Sequence, residues 1–290
     1  MPELPEVETV RRGLEARALG RMIATVEVRH PGAIAGAPED FSRSLKDRRI
    51  AKVDRKGKAI AVELTGSGGL PAQYLLIRLG MTGQLTVNRS AAPIEPHTHV
   101  RLRLDDGKEE LRFRDPRRFG RMRSCSREEK EEVFRKLGPD ARQMSEAEFL
   151  AAARGRKGAI KSWLMNQQML AGLGNIYADE ALFVARIHPL AQPGKVSGDR
   201  LRALYKGIKR VLDRAVNLQG TRFRDYVDIE GRPGNFASRL RVYQRTGEPC
   251  RRCKTKIRRL VIAGRSSHFC PGCQRRPRSV AKMRGPRNYS

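Results

Sequence analysis

The sequence predicts a two-domain α+β protein in which an N-terminal helix and an antiparallel β-sandwich precede a helical domain ending in a small β-finger built on four cysteines. Three observations carry that prediction. The hydrophobic period switches from helical to alternating near Ile23. It switches back after the break Leu137-Gly138-Pro139-Asp140. Four of the five cysteines then fall as two close pairs near the C-terminal end.

The elements follow in order. After Pro5, the apolar residues Val7, Val10 and Leu14 recur at helical spacing, which predicts a short opening helix with Glu3 and Glu6 at its positive end. From Ile23 to Arg123 short alternating runs, such as 59–64 and 100–104, are punctuated by Gly, Pro and Asp-Gly turns, the pattern of an antiparallel sandwich or barrel. The break at 137–140 sets a domain boundary, and Ser145 with Glu148 forms a capping box for the next helix. Helices are predicted over 159–167, 176–186 and 199–216, followed by a glycine-rich loop from Gly220 to Ala237. The expected organisation is therefore 1–137 for the first domain, 138–144 for a linker, 145–240 for the helical domain, 241–275 for the finger and 276–290 for a basic tail.

The 290 residues are 39% hydrophobic, enough for a modest core in each domain. Sixty Lys and Arg against thirty-one Asp and Glu give a formal charge of +29, which points to a polyanionic partner and first of all to nucleic acid. Thirteen of these cations lie from Arg251 onward, where there is no Asp or Glu. No long apolar run, basic amphipathic anchor or lipidation signal argues for a membrane. The start Met1-Pro2-Glu3-Leu4 has neither the basic head nor the apolar stretch of a secretory signal, so a cytoplasmic protein is expected. Cys125, which stands alone, is expected to be an ordinary half-buried thiol.

Cys250 and Cys253 are separated by two residues, as are Cys270 and Cys273, with sixteen residues between the pairs. This is the spacing of a closed four-thiolate zinc site. The intervening run Ile257 to Ile262 alternates as a hairpin would. With no position left for water, the one Zn2+ is expected to be structural. Reduced core thiols or a redox dithiol are the competing readings, and the latter lacks the strand and helix it needs.

Removal of Met1 ahead of the small residue Pro2 would expose a secondary amine with an ordinary pKa of about 8. Attack by such an amine on a sugar's anomeric carbon gives an iminium, an electron sink that permits elimination, and the adjoining Glu3 could move the protons. A proline that merely starts a helix is the plain alternative.

The opening Pro2 to Val10 closely resembles that of bacterial formamidopyrimidine-DNA glycosylases. Similar blocks follow in order at 55–58, 80–83, 115–120, 172–178 and the finger, spanning Pro2 to Gln274. The resemblance implies that family's fold, with a helix-two-turn-helix motif ahead of the finger. It also implies a bifunctional glycosylase and abasic-site lyase of base excision repair, acting on 8-oxoguanine and ring-opened purines in double-stranded DNA. Pro2 would be the Schiff-base nucleophile, and Glu3 the acid that helps protonate the sugar, supported by Glu6. Lys58 would be the proton donor of the first elimination, and Arg265 a phosphate ligand tied to the second. Met81, Arg117 and Phe119 would fill the gap left by the extruded nucleotide, whose unstacking costs roughly a few kcal/mol. Arg117 and Phe119, two apart, would point the same way on an extended segment. Asn175 would grip a phosphate, and His97, Arg156 and Lys161 would also contact DNA, while His99 faces the other side of its strand. The loop 220–237 would read the lesion. A monomer bound to the nucleoid is expected.

The chain departs from the family pattern at Ala59, where an aromatic residue is common, at Gln244, where Gly is usual, and in the tail beyond Gln274. An endonuclease VIII-like enzyme for oxidised pyrimidines and a non-catalytic zinc-containing DNA-binding protein are the alternatives.

Overall fold

A computed structural model of the chain describes residues 2–66, 71–105, 107–222 and 225–277. Its contacts divide it into two units, Met1–Leu137 with Ala215–Ala237, and Gly138–Arg214 with Ser238–Ser290.

The first unit opens with α1 (Leu4–Ala18), whose stripe Val7, Val10, Leu14 and Ala18 is buried. Eight antiparallel strands follow: β1 (Met22–Val28), β2 (Arg48–Lys56), β3 (Ala59–Thr65), β4 (Gln73–Arg78), β5 (Gln84–Arg89), β6 (Thr98–Leu104), β7 (Glu109–Arg114) and β8 (Arg121–Cys125). They form one continuous sheet in the order β5-β7-β6-β1-β2-β3-β4-β8. The predicted sandwich is thus a single sheet folded over. Its halves join where β1 meets β2 through only two residue pairs, Met22 with Arg49 and Ile23 with Arg48. Inward residues of both halves, Ile23, Val100 and Phe113 with Ile60, Val62 and Ile77, share one core with the stripe of α1.

Two helices were not read from the sequence. Helix α2 (Pro38–Leu45) buries only Phe41 and Leu45, too few positions to display a period. Helix α3 (Arg127–Arg135) buries no residue fully, yet Val133 and Phe134 cover Ala61, Tyr74, Leu76 and Cys125 on the outer face of the sheet. That cover explains why Ala59 to Val62 of β3 are buried on both faces. Burial pushes the Cys125 thiol up to about 11, the mark of an inert packing residue.

In the second unit the Ser145 capping box forms as expected, with Glu148 N–H donating to Ser145 Oγ at 3.2 Å and Ser145 N–H to Glu148 Oε2 at 2.8 Å. It starts α4 (Glu146–Ala153), followed by α5 (Ile160–Met165), α6 (Asn175–Val184) and α7 (Gly198–Asn217). The finger hairpin pairs β9 (Arg258–Ile262) with β10 (Arg265–Phe269).

Two boundaries differ from expectation. The stretch beginning at Gly138, read as a linker, is fastened to the segment between α5 and α6: Gly138 N–H donates to Gln167 O, Ala141 N–H to Ala171 O, and Ala171 N–H to Pro139 O. A Cβ on residue 138 would lie 2.5 Å from Gln168 O, so only glycine admits this approach. The second difference is that residues 215–237, placed in the helical domain, pack with the first unit, where Tyr226 and Ile229 enter the core. Phe223 and Arg224 of the expected lesion-reading loop, and the expected tail from Arg278 onward, lie outside the described residues.

Candidate functional site

Pro2 and Glu3 are buried at the mouth of α1, where Glu3 is the N-cap residue and Glu6 sits three residues on. Glu6 divides its carboxylate, accepting the Glu3 N–H on Oε2 at 2.8 Å and the Thr221 N–H on Oε1 at 2.7 Å. The Tyr226 hydroxyl reaches the Glu6 carbonyl at 3.4 Å. One buried acid thereby fixes the turn carrying Pro2 and Glu3 to the returning loop. Burial, reinforced by the Glu6 charge, pushes the Tyr226 phenol far up and keeps it a neutral donor.

Glu8, on the next turn, pairs with Arg11, Arg12 and Arg55. Burial alone would raise its carboxyl, but Arg55 and its fellow arginines outweigh that and hold it below the usual range. Arg55 also donates to the Gly57 carbonyl at 2.8 Å, so α1 supports the tight β2–β3 turn on which half-buried Lys58 stands. Pro2, Glu3 and Lys58 are therefore presented by elements tied to the same end of one helix.

The three expected gap-filling residues occupy two loops joined by Asp115, which is completely buried. Its carboxylate accepts from the Thr82 hydroxyl at 2.5 Å and from the Gly120 N–H at 2.6 Å. A Cβ at Gly80 would lie 2.6 Å from backbone atoms of Phe119 and Gly120, so the loops meet backbone to backbone. Met81 and Phe119 stand out from this base, 38% and 56% exposed, with the Arg117 guanidinium 5.0 Å from the Phe119 ring centroid. The reason anticipated for that pairing was wrong. Residues 116–117 form a turn and Arg118 has a φ of 56°, so Arg117 meets Phe119 by stacking across a bend. His97 is exposed beside this loop, its carbonyl accepting the Asp115 N–H at 3.0 Å, whereas buried His99 turns Nε2 to the Asp115 carbonyl at 2.8 Å.

In the second unit Asn175 is the first residue of α6, at the positive end of a ten-residue helix suited to an anion. The turn before it is organised by Gln167, which accepts the Gly172 N–H and donates to the Met165 and Leu173 carbonyls. Arg156 is exposed on a loop, and Arg265 is exposed at the first position of β10. Lys161 does not match its expected place on the DNA surface. It is 1% exposed, and its ammonium lies 2.7 Å from Asp179 Oδ1 and 2.8 Å from the Ser266 carbonyl. Neighbouring Glu180 accepts the Arg241, Val242 and Tyr243 N–H groups. Burial pushes its carboxyl up against the pull of those donors.

The four sulfur atoms of Cys250, Cys253, Cys270 and Cys273 lie within 4.8 Å of one another. A tetrahedral zinc with arms of about 2.3 Å would set them about 3.8 Å apart, and Cys253 stands 3.3 Å from Cys270 while Cys250 stands 4.0 Å from Cys273. The donor set fits one structural zinc. Thr255 helps pull the Cys253 thiol down to about 6, whereas burial pushes Cys270 up to about 12, so the metal must displace the proton there. Stripping the zinc with a chelator, or the substitution Cys250→Ser, is expected to weaken DNA binding by about tenfold or more while the first unit keeps its fold. Titrations on duplex DNA beside circular dichroism check this, and unchanged affinity would refute it.

Asp115, Gln167, Asp179, Glu180 and the Glu8–Arg55 pair carry these arrangements and were not singled out from sequence. Each is a polar residue inside a family-like block or beside one. The signal available was their position, because Asp179, Glu180 and the Glu8–Arg55 pair find partners tens of residues away in the chain, and the near partners of Gln167 are backbone groups that no side-chain pattern marks.

Residues 1–122 match the formamidopyrimidine-DNA glycosylase N-terminal domain, 137–226 the H2TH domain of the same glycosylase, and 247–276 the zinc finger found in FPG and IleRS. A formamidopyrimidine-DNA glycosylase of Solibacter usitatus is 47% identical over 277 residues, covering 95% of this chain and 100% of the relative. A Lactococcus lactis FPG mutant, solved in complex with a Fapy-dG containing DNA, is 34% identical with a TM-score of 0.87, covering 95% of this chain and 100% of that one. A MutM complex with carbocyclic 8-oxo-G containing DNA is 33% identical with a TM-score of 0.86 over the same shares.

Proposed function

The chain belongs to the formamidopyrimidine-DNA glycosylase family, and from that premise we propose how its own residues carry out the reaction. It is a DNA glycosylase and abasic-site lyase of base excision repair that takes oxidised purines from double-stranded DNA and holds one structural zinc. Among the described residues no helix is long and apolar enough to cross a membrane. We assign its work to the bacterial cytoplasm, on the nucleoid.

The Pro2 nitrogen attacks the anomeric carbon of the damaged nucleotide. The bond from that carbon to the base breaks, the Pro2 nitrogen sheds its proton, which goes to the departing base, and Glu3 protonates the ring oxygen as its bond to the same carbon opens, leaving a free hydroxyl and an iminium. The resulting iminium draws electrons from the neighbouring carbon, which loses a proton as the 3′ phosphate leaves. Lys58 serves this first elimination as proton donor. Arg265 holds a phosphate and assists the second elimination, which releases the 5′ phosphate. Met81, Arg117 and Phe119 occupy the vacated stack, the guanidinium offering its donors to the orphaned base. Asn175, Arg156 and His97 hold the backbone.

The observation that carries this reading is Glu6, whose single buried carboxylate binds both the Glu3 amide and the loop at Thr221. The test is excision from duplexes carrying 8-oxoguanine, a formamidopyrimidine or an oxidised pyrimidine, with borohydride trapping. Preferred release of the two purine lesions with a trapped adduct is expected. Preference for the pyrimidine, or cleavage without an adduct, would overturn it.

A further inference from the structure

We propose that Lys161 and Asp179 form a buried charge pair that fixes strand β10, and with it Arg265, so that Lys161 serves DNA binding by positioning the finger instead of touching a phosphate. The inference rests on the reading of Arg265 as the finger's phosphate ligand.

Lys161 comes from α5, Asp179 from α6, and both are sealed from water, at 1% and 0% exposure. Their ion pair of 2.7 Å does not stand alone. The ammonium also donates to the Ser266 carbonyl at 2.8 Å, and Ser266 is the residue directly after Arg265. The other carboxylate oxygen of Asp179 accepts the His268 N–H at 2.8 Å and lies 3.2 Å from His268 Nδ1. The pair therefore holds β10 at two backbone points, the carbonyl of 266 and the amide of 268. To reach a phosphate the ammonium would have to abandon both partners and leave the interior.

Register explains what such a clamp achieves. The hairpin has five paired positions, from Arg265 with Ile262 to Phe269 with Arg258. So short a ladder is weakly specified by itself, and a slip of one residue would turn every side chain, Arg265 included, to the opposite face. An acceptor fixed on α6 that recognises the amide of 268, and a donor on α5 that recognises the carbonyl of 266, admit one register only. Buried ionic groups are best attested in this role of fixing register, because their desolvation limits what they add to stability.

The pair makes a test possible that a phosphate contact would fail. Removing one partner leaves a buried charge uncompensated, whereas removing both with residues of similar shape does not. The full-length, zinc-loaded protein is compared with K161M, D179N and K161M/D179N in binding a duplex that carries a non-cleavable abasic analogue. Each single variant is expected to lose about tenfold or more in affinity, and the double variant to return to within about threefold of the parent. If Lys161 grips a phosphate, D179N will bind normally, or the double variant will be as weak as K161M, and either result overturns the proposal. Deuterium uptake at the amides of β10 gives a readout without DNA. It should rise in K161M and D179N and recover in the double variant, and uptake unchanged from the parent in the single variants would also overturn it. R265A separates the two readings. If R265A binds like the parent, the role of Arg265 is wrong, and the exchange data still judge the clamp.

Discussion

Protein that retains Met1, or carries any other residue ahead of Pro2, will bind damaged duplex DNA and leave it intact. In that form the Pro2 nitrogen belongs to a peptide bond, its lone pair delocalised into the carbonyl, and it cannot attack a sugar. Base release and strand cleavage should fall together, by roughly a thousandfold or more, as expected when a nucleophile is removed. Affinity for a duplex with a non-cleavable abasic analogue should change by no more than a few-fold, because the residues proposed to hold DNA are elsewhere. Intact mass identifies the processed fraction, and single-turnover kinetics with borohydride trapping measures the effect. Equal rates for processed and unprocessed protein would exclude Pro2 as the nucleophile.

The second large effect is a separation of two activities. Glu3→Gln keeps the size and much of the hydrogen bonding of a side chain that is 1% exposed at the helix mouth, but it removes the transferable proton. Excision of 8-oxoguanine should slow by about a hundredfold or more, within the range general acid catalysis supplies. Cleavage of a ready-made abasic site should slow only a few-fold, since a free aldehyde has no base to expel. The two substrates, measured side by side under single turnover, decide the point. Parallel losses would show that Glu3 acts by holding structure and not by moving a proton.

What could be read before the structure was local. The stripe of α1, the Ser145–Glu148 box and the cysteine pairs are all patterns whose partners lie within a few turns or follow a metal's fixed geometry. The alternating strands were legible too, although their closure into one folded sheet depends on the meeting of Ile23 with Arg48, which no periodicity encodes. The errors share a cause. Lys161 resembles any surface lysine until Asp179 and Ser266 are brought to it from 18 and 105 residues away in sequence. The segment 215–237 carries no mark of its attachment to α1, because the contacts that make it, Glu6 with the Thr221 amide, the Tyr226 hydroxyl with the Glu6 carbonyl and Arg17 with Glu230, join residues more than 200 positions apart. Arg117 and Phe119 were paired for the wrong reason, since a left-handed residue between them turns an extended run into a bend.

The anchoring of the wedge has an evolutionary consequence. Asp115 bears the structural duty of both loops from inside, while Met81, Arg117 and Phe119 contribute little to the interior. If the three fill the gap as proposed, substitutions among them would retune which opposing base is tolerated without loosening the scaffold, whereas a change at Asp115 would disturb the base of both loops. On that proposed role, selectivity for the undamaged strand would be free to drift among descendants that keep the same architecture.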